Sequence, residues 1–201
     1  MKALRPRSSI FHAVTHVWGR EYLDLFLNVC IPNQLAPGNV PALPAGSRYR
    51  ILTRSAHVDE LEAHPMVDAL REAIPVDVVV VDALENDHGA AREYDLMNAC
   101  HQKAIADALA ARAAIVMLSA DFVLSESALA AVVRRHGEGY RAVVIANLRL
   151  NKESFLRAVE ESRTPLASLS SRELVRMGLR HLHPYTKSMV ADASPPWSAA
   201  W

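Results

Sequence analysis

Cysteine is scarce in this chain. Only Cys30 and Cys100 occur, each inside an apolar, helix-like pattern. They lack metal-ligand spacing, and the expectation is two reduced core thiols. Glycine is scarce too, at seven of 201 residues, and none falls in a phosphate-binding pattern. No Gly-x-Gly-x-x-Gly follows the first strand-like run and no Gly-Lys-Ser/Thr occurs, so the usual dinucleotide and triphosphate cradles are absent. Gly-x-Ser-x-Gly and His-Glu-x-x-His are missing as well, which removes two common hydrolase signatures. Neither sign of charge is in excess, since 22 basic residues balance 22 acidic ones. A neutral chain lacks the electrostatic footprint of a nucleic-acid binder. No apolar run approaches the roughly 20 residues of a membrane span. The N-terminal residues 1–7 carry charge without a signal-like apolar stretch behind them. These absences predict a cytoplasmic protein with no transmembrane segment and no nucleic-acid partner.

What the chain has is apolar patterning, with 51% hydrophobic residues and no sign of low complexity. Strand-like runs cover 10–17, 48–53, 76–81, 114–118 and 141–147, rich in β-branched residues. Helical spacing covers 20–30, 58–73 with a kink or a division into two short helices at Pro65, 94–111, 125–135, 152–161 and 171–182. In the 94–111 helix, Leu96, Met97, Cys100, Ile105 and Leu109 are the core candidates. Val76–Val81 is nearly all valine, as in a strand buried on both faces. Ser125 is the expected cap of one helix, and Ser170 or Ser171 of another. Residues 36–46 are Pro/Gly-rich and long for a connection, a hint of exposure or function. Strands alternating with helices predict a three-layer α/β/α fold with a mostly parallel central sheet.

Parallel strands collect their carboxyl ends on one edge, where open α/β sheets bind ligands. Thr15 and His16 end the first strand, Asp82 the third, and Ser119 and Asp121 the fourth. Asp121 is the strongest candidate, because hard cations such as Mg²⁺ or Mn²⁺ take carboxylate oxygens. Its plain alternative is to cap the following turn. Tyr94, Asn98 and His101 share one helical stripe, suited either to a nucleobase and ribose or to a solvated face. Trp18 offers a further pocket wall or a core residue. His181 and His183, two apart, do not face one way on a helix and make a poor metal pair.

The strand and helix order, with Trp18-Gly-Arg-Glu-Tyr22, residues 35–43, Tyr49-Arg-Ile-Leu-Thr53 and Leu118-Ser-Ala-Asp-Phe-Val-Leu-Ser125, resembles the nucleotide-diphospho-sugar transferases of the GT-A fold. It is similar in particular to bacterial glycosyltransferase-like proteins. The resemblance spans roughly residues 9–190 and implies one nucleotide-sugar-binding domain over 1–190. The Pro/Trp tail 191–201 is then expected to begin an acceptor-side segment. The family carries Asp-x-Asp at the end of the fourth strand, where this chain has Ser119-Ala120-Asp121. By resemblance Asp121 is the metal ligand, for Mg²⁺ or Mn²⁺. Thr15, His16, Asp82, Asn98 and Ser119 would then surround the nucleotide. The implied activity is metal-dependent transfer of a sugar from a nucleotide-diphosphate donor to an acceptor, with no assignable catalytic base. The loss of the first acid leaves an alternative open: a catalytically inactive nucleotide-binding or protein-assembly module, such as a homo-oligomer.

Overall fold

The computed structural model describes residues 10–84 and 93–189. Among the described residues four strands, β1 (Phe11–His16), β2 (Arg48–Thr53), β3 (Val76–Val80) and β4 (Ala114–Ser119), form one sheet in the order β3-β2-β1-β4. Every pairing is parallel. The protein is thus an α/β fold, as its patterning predicts. The central strand β1 is buried along nearly its whole length, in keeping with a strand covered on both faces.

Helices lie on both faces. One face of the sheet meets α1 (Arg20–Leu25), α2 (Ile31–Gln34), α3 (Val58–Glu62), α4 (Pro65–Ala73) and α6 (Ala128–Gly137) in one apolar cluster. That cluster runs from Phe11 and Ala13 through Leu23, Ile31, Leu61 and Leu70 to Leu129. The other face meets α5 (Glu93–Ala110) through Val14, Leu52, Leu96, Cys100 and Ala104. A third cluster, around Phe155, Leu166 and Leu174, holds α7 (Lys152–Ser162) to α8 (Ser171–Arg180), and α9 (Pro184–Ser188) follows.

Several local expectations hold. Pro65 separates α3 from α4. Ser170 and Glu173 form a reciprocal capping box on α8. Both cysteines are free and buried. Burial pushes the Cys100 thiol up to about 11, so neither a thiolate nor a metal ligand is favoured there. The residues expected in a loop beyond Leu84, and the tail 191–201, lie outside the described residues.

Other expectations are corrected. β3 is an edge strand, partnered by β2 among the described residues, and Val80 is half exposed; valine density does not report how many neighbours a strand has. Helical geometry runs past Cys30 to Gln34, through a π turn at Phe26–Cys30. Pro32 has no N–H to give the carbonyl of Asn28, and the widened turn lies where that bond would be lost. The buried stripe of α5 is Leu96, Cys100, Ala104 and Ala108, while Ile105 and Leu109 are exposed. Alanines let that helix approach the sheet closely. Ser127 precedes α6 in a left-handed conformation, with no side-chain cap, in place of Ser125. The 36–46 loop is not loose: Asn39 and Val40 are fully buried beneath α6. Residues 141–147 are not a strand; all seven are exposed and none pairs among the described residues.

Candidate functional site

Because all four strands are parallel, their carboxyl ends lie together. The pairing of β1 with β4 sets His16 opposite Ser119, and that with β2 sets His16 opposite Leu52. The His16 ring stands 5.4 Å from the Trp18 ring and 5.1 Å from that of His101, which reaches over from α5. Trp18 packs its apolar body on the cluster beneath α5. The edge therefore carries two imidazoles and an indole side by side, partly buried.

Burial lowers the His16 pKa from its ordinary value of 6.5, and the neighbouring His101 lowers it further. The Asp121 carboxylate acts against both. The net direction is downward, so His16 is neutral at pH 7 and can accept a proton or a hydrogen bond. Asp121 itself is exposed, one residue past the buried Ala120. The Ser119 hydroxyl donates to Asp121 Oδ1 at 2.5 Å. The turn is tied down from below by Cys30 Sγ, which donates to the Ala120 carbonyl at 3.1 Å.

Not every sequence candidate joins this edge group. Thr15 is fully buried, and its hydroxyl meets Tyr49 Oη at 2.7 Å; Tyr49 in turn donates to Gln34 at 2.7 Å. Its polar group is used inside the core, because alternate residues of β1 point to opposite faces. Asp82 accepts from the Ser55 backbone N–H at 2.7 Å and so fixes the turn after β2. Asn98 and Tyr94 are exposed on α5, whereas His101 on the same stripe turns in to His16. The His181 and His183 rings serve local roles: His181 meets Ser154 at 3.1 Å, and His183 accepts from the Tyr185 N–H. Among the described residues no three of His, Cys, Asp or Glu gather as a metal site.

Asp121 also lines a groove of about 1060 Å³ beside β4. Its walls include Tyr22 and Leu25 of α1, Ile115 to Leu118 of β4 and residues 143–150. Arg149, Lys152 and Asn147 add polar groups. Lys152 pairs with Glu21, so the start of α7 is tied to α1. No local pattern marks Glu21 and Lys152 as neighbours, because they are brought together by the packing of α7 alone.

Among the described residues, no helix is long and apolar enough to cross a membrane. No protein-family model, no curated protein and no solved structure matches the chain.

Proposed function

We propose that the chain binds a nucleoside-diphosphate sugar at the carboxyl edge of its sheet, in a GT-A-like arrangement, and serves metal-dependent glycosyl transfer. The observation that carries this reading is the grouping of His16, Trp18, His101, Ser119 and Asp121 at one edge of an all-parallel sheet, the place where such sheets take ligands. Trp18 supplies an aromatic face for a base. His16, neutral at pH 7, supplies a hydrogen-bond acceptor or a base. Ser119 holds the Asp121 carboxylate in place.

The residues fit Mg²⁺ or Mn²⁺ only in part. Asp121 supplies one carboxylate, and no cluster of His, Cys, Asp or Glu among the described residues completes a cage. A hard cation that keeps waters and phosphate oxygens as its other ligands suits such a site. In the bound state the metal would offset charge developing on the departing diphosphate.

A thermal-shift screen tests the reading. Mn²⁺ alone is expected to leave the melting temperature unchanged. A matching uridine, guanosine or cytidine diphosphate sugar with Mn²⁺ is expected to raise it, by about 2.7 kcal/mol of stabilisation at a hundredfold excess over Kd. Asp121→Ala should remove the part of the shift that depends on metal. Absence of a shift with every donor overturns the proposal.

A second reading, a binding or assembly module without turnover, is favoured by the engagement of Thr15 and Asp82 within the fold. Donor binding without release of nucleoside diphosphate would decide for it.

A further inference from the structure

Among the described residues β4 pairs with β1 alone. In a parallel strand alternate residues send their N–H and C=O groups to opposite sides, so half of these groups on β4 face an open edge. Open edges are templates for another strand. The stretch 143–150 lines the same groove as Ile115–Leu118. Residues 141–148 make no backbone hydrogen bond among the described residues. Their middle, Val143-Val144-Ile145, is β-branched, which favours a pleated strand. Even so, Val144 is 92% exposed.

Both ends of the stretch are held. The Tyr140 N–H donates to the Arg135 carbonyl at 3.1 Å. At the other end Leu150 bridges Leu182, with Asn151 N–H to His181 O at 2.7 Å and His183 N–H to Arg149 O at 2.9 Å. The connection also allows the right direction. His136, in the last turn of α6, lies 5.2 Å from the ring of Phe11 at the amino end of β1, so a strand starting there would run parallel to β4. The six residues 142–147 match the six of β4.

We propose that residues 142–147, unpaired in the conformation described above, also reach a second conformation in which they dock on the open edge of β4 as a fifth parallel strand, closing the groove and placing Asn147 beside Ser119 and Asp121. Pairing Ala142 with Ala114 brings Val144 next to the buried Val116, Ile145 next to the exposed Met117, and Asn147 next to Ser119. The exposed segment and the unsatisfied edge each supply what the other lacks. Groove closure stands apart from the nucleotide-sugar reading. Only a role for Asn147 in holding a donor rests on it.

Hydrogen exchange of the full chain without ligand, followed peptide by peptide, is the test. Residues 142–147 are expected to exchange at least about tenfold slower than free-peptide rates. Alternate residues donate to β4, so Val144→Pro and Ile145→Pro, made separately, cover both phases of the ladder. One of them should release the segment to free exchange while β1 and β2 stay protected. Free exchange of 142–147 in the unaltered protein overturns the proposal, as does protection that survives both prolines. Protection that rises with protein concentration together with a dimer in sedimentation also overturns it, because a second copy then occupies the edge. If donors give no thermal shift while the segment is protected, the binding proposal fails and groove closure stands.

Discussion

Asn33 joins two parts of the chain that sequence places far apart. Its side chain accepts from the Leu124 N–H at 2.7 Å and donates to the Leu124 carbonyl at 3.0 Å. It is buried, as is its neighbour Asn39, which reaches the Leu129 N–H. Together these amides hold the turn that follows Asp121. Asn33→Ala leaves a buried N–H and a buried carbonyl unpaired, at a cost of about 1–3 kcal/mol each before relaxation. The expected result is a melting temperature lower by several degrees, at about 2–4 °C per kcal/mol for a chain of this size. An unchanged melting temperature would mean that water replaces the amide. Nothing local in the sequence marks Asn33, since its partner is some 90 residues away. The place of Asp121 and His16 at the sheet edge was legible because a strand end is a local feature that also fixes a position on that edge. The inward facing of Thr15 was not legible for the complementary reason: its position along β1 was right, but its facing depends on Tyr49 and Gln34, which only the packed structure brings to it.

The 36–46 loop and α6 constrain each other through Gly38. A Cβ on Gly38 would meet Ser127 Oγ at 2.3 Å and Ser127 Cα at 2.5 Å. Ser127 cannot yield easily, because it is already in the left-handed region, with φ 60°, and because the Ala130 N–H donates to the Gly38 carbonyl at 3.0 Å. Gly38→Ala is therefore expected to cost about 1–3 kcal/mol, the usual range for overpacking. Gly137, in the last turn of α6, has open space around its Cβ position, and its change to alanine should be neutral or stabilising by up to about 1 kcal/mol. Urea denaturation of the two variants separates a close approach from a general intolerance of glycine replacement; equal losses would refute the distinction. The Pro/Gly-rich composition of the loop was visible in the sequence, but its place beneath α6 was not. The same holds for strands and helices more widely. Periodicity located β1, β2, β4 and α5 within a residue or two, because a period is a property of neighbouring residues. It missed that β3 lies at an edge, that α5 packs through alanines and that 141–147 is unpaired, since each depends on which element comes to lie alongside.

The two histidines of β1 give the whole molecule a pH response that can be separated from its carboxylates. His12 is buried near the amino end of the strand. Burial lowers its pKa, Arg50 and Arg48 lower it further, and Asp77 and Asp107 oppose them. His16, near the other end, is lowered by burial and by His101 against Asp121. In both cases the unfolded chain, at the ordinary value of 6.5, takes up a proton more readily than the folded one. Stability is thus full above about pH 6.5, falls as pH drops toward the folded-state values, and then levels. Asp107 responds in a different window. Burial raises its pKa, but hydrogen bonds from Arg50 and Lys103 outweigh this and leave it below its ordinary 3.8, so its contribution is lost only in stronger acid. As pH falls below about 6.5 the histidines therefore set the slope, ahead of Asp107. Denaturation midpoints at pH 7.5, 6.5 and 5.5 should decline in the unaltered protein. They should decline less in His16→Gln, and least in His12→Leu/His16→Gln, each compared with its own value at pH 7.5. A flat profile in the unaltered protein, or an equal decline in the double variant, would show that the central strand does not couple the two ends of the sheet to acid.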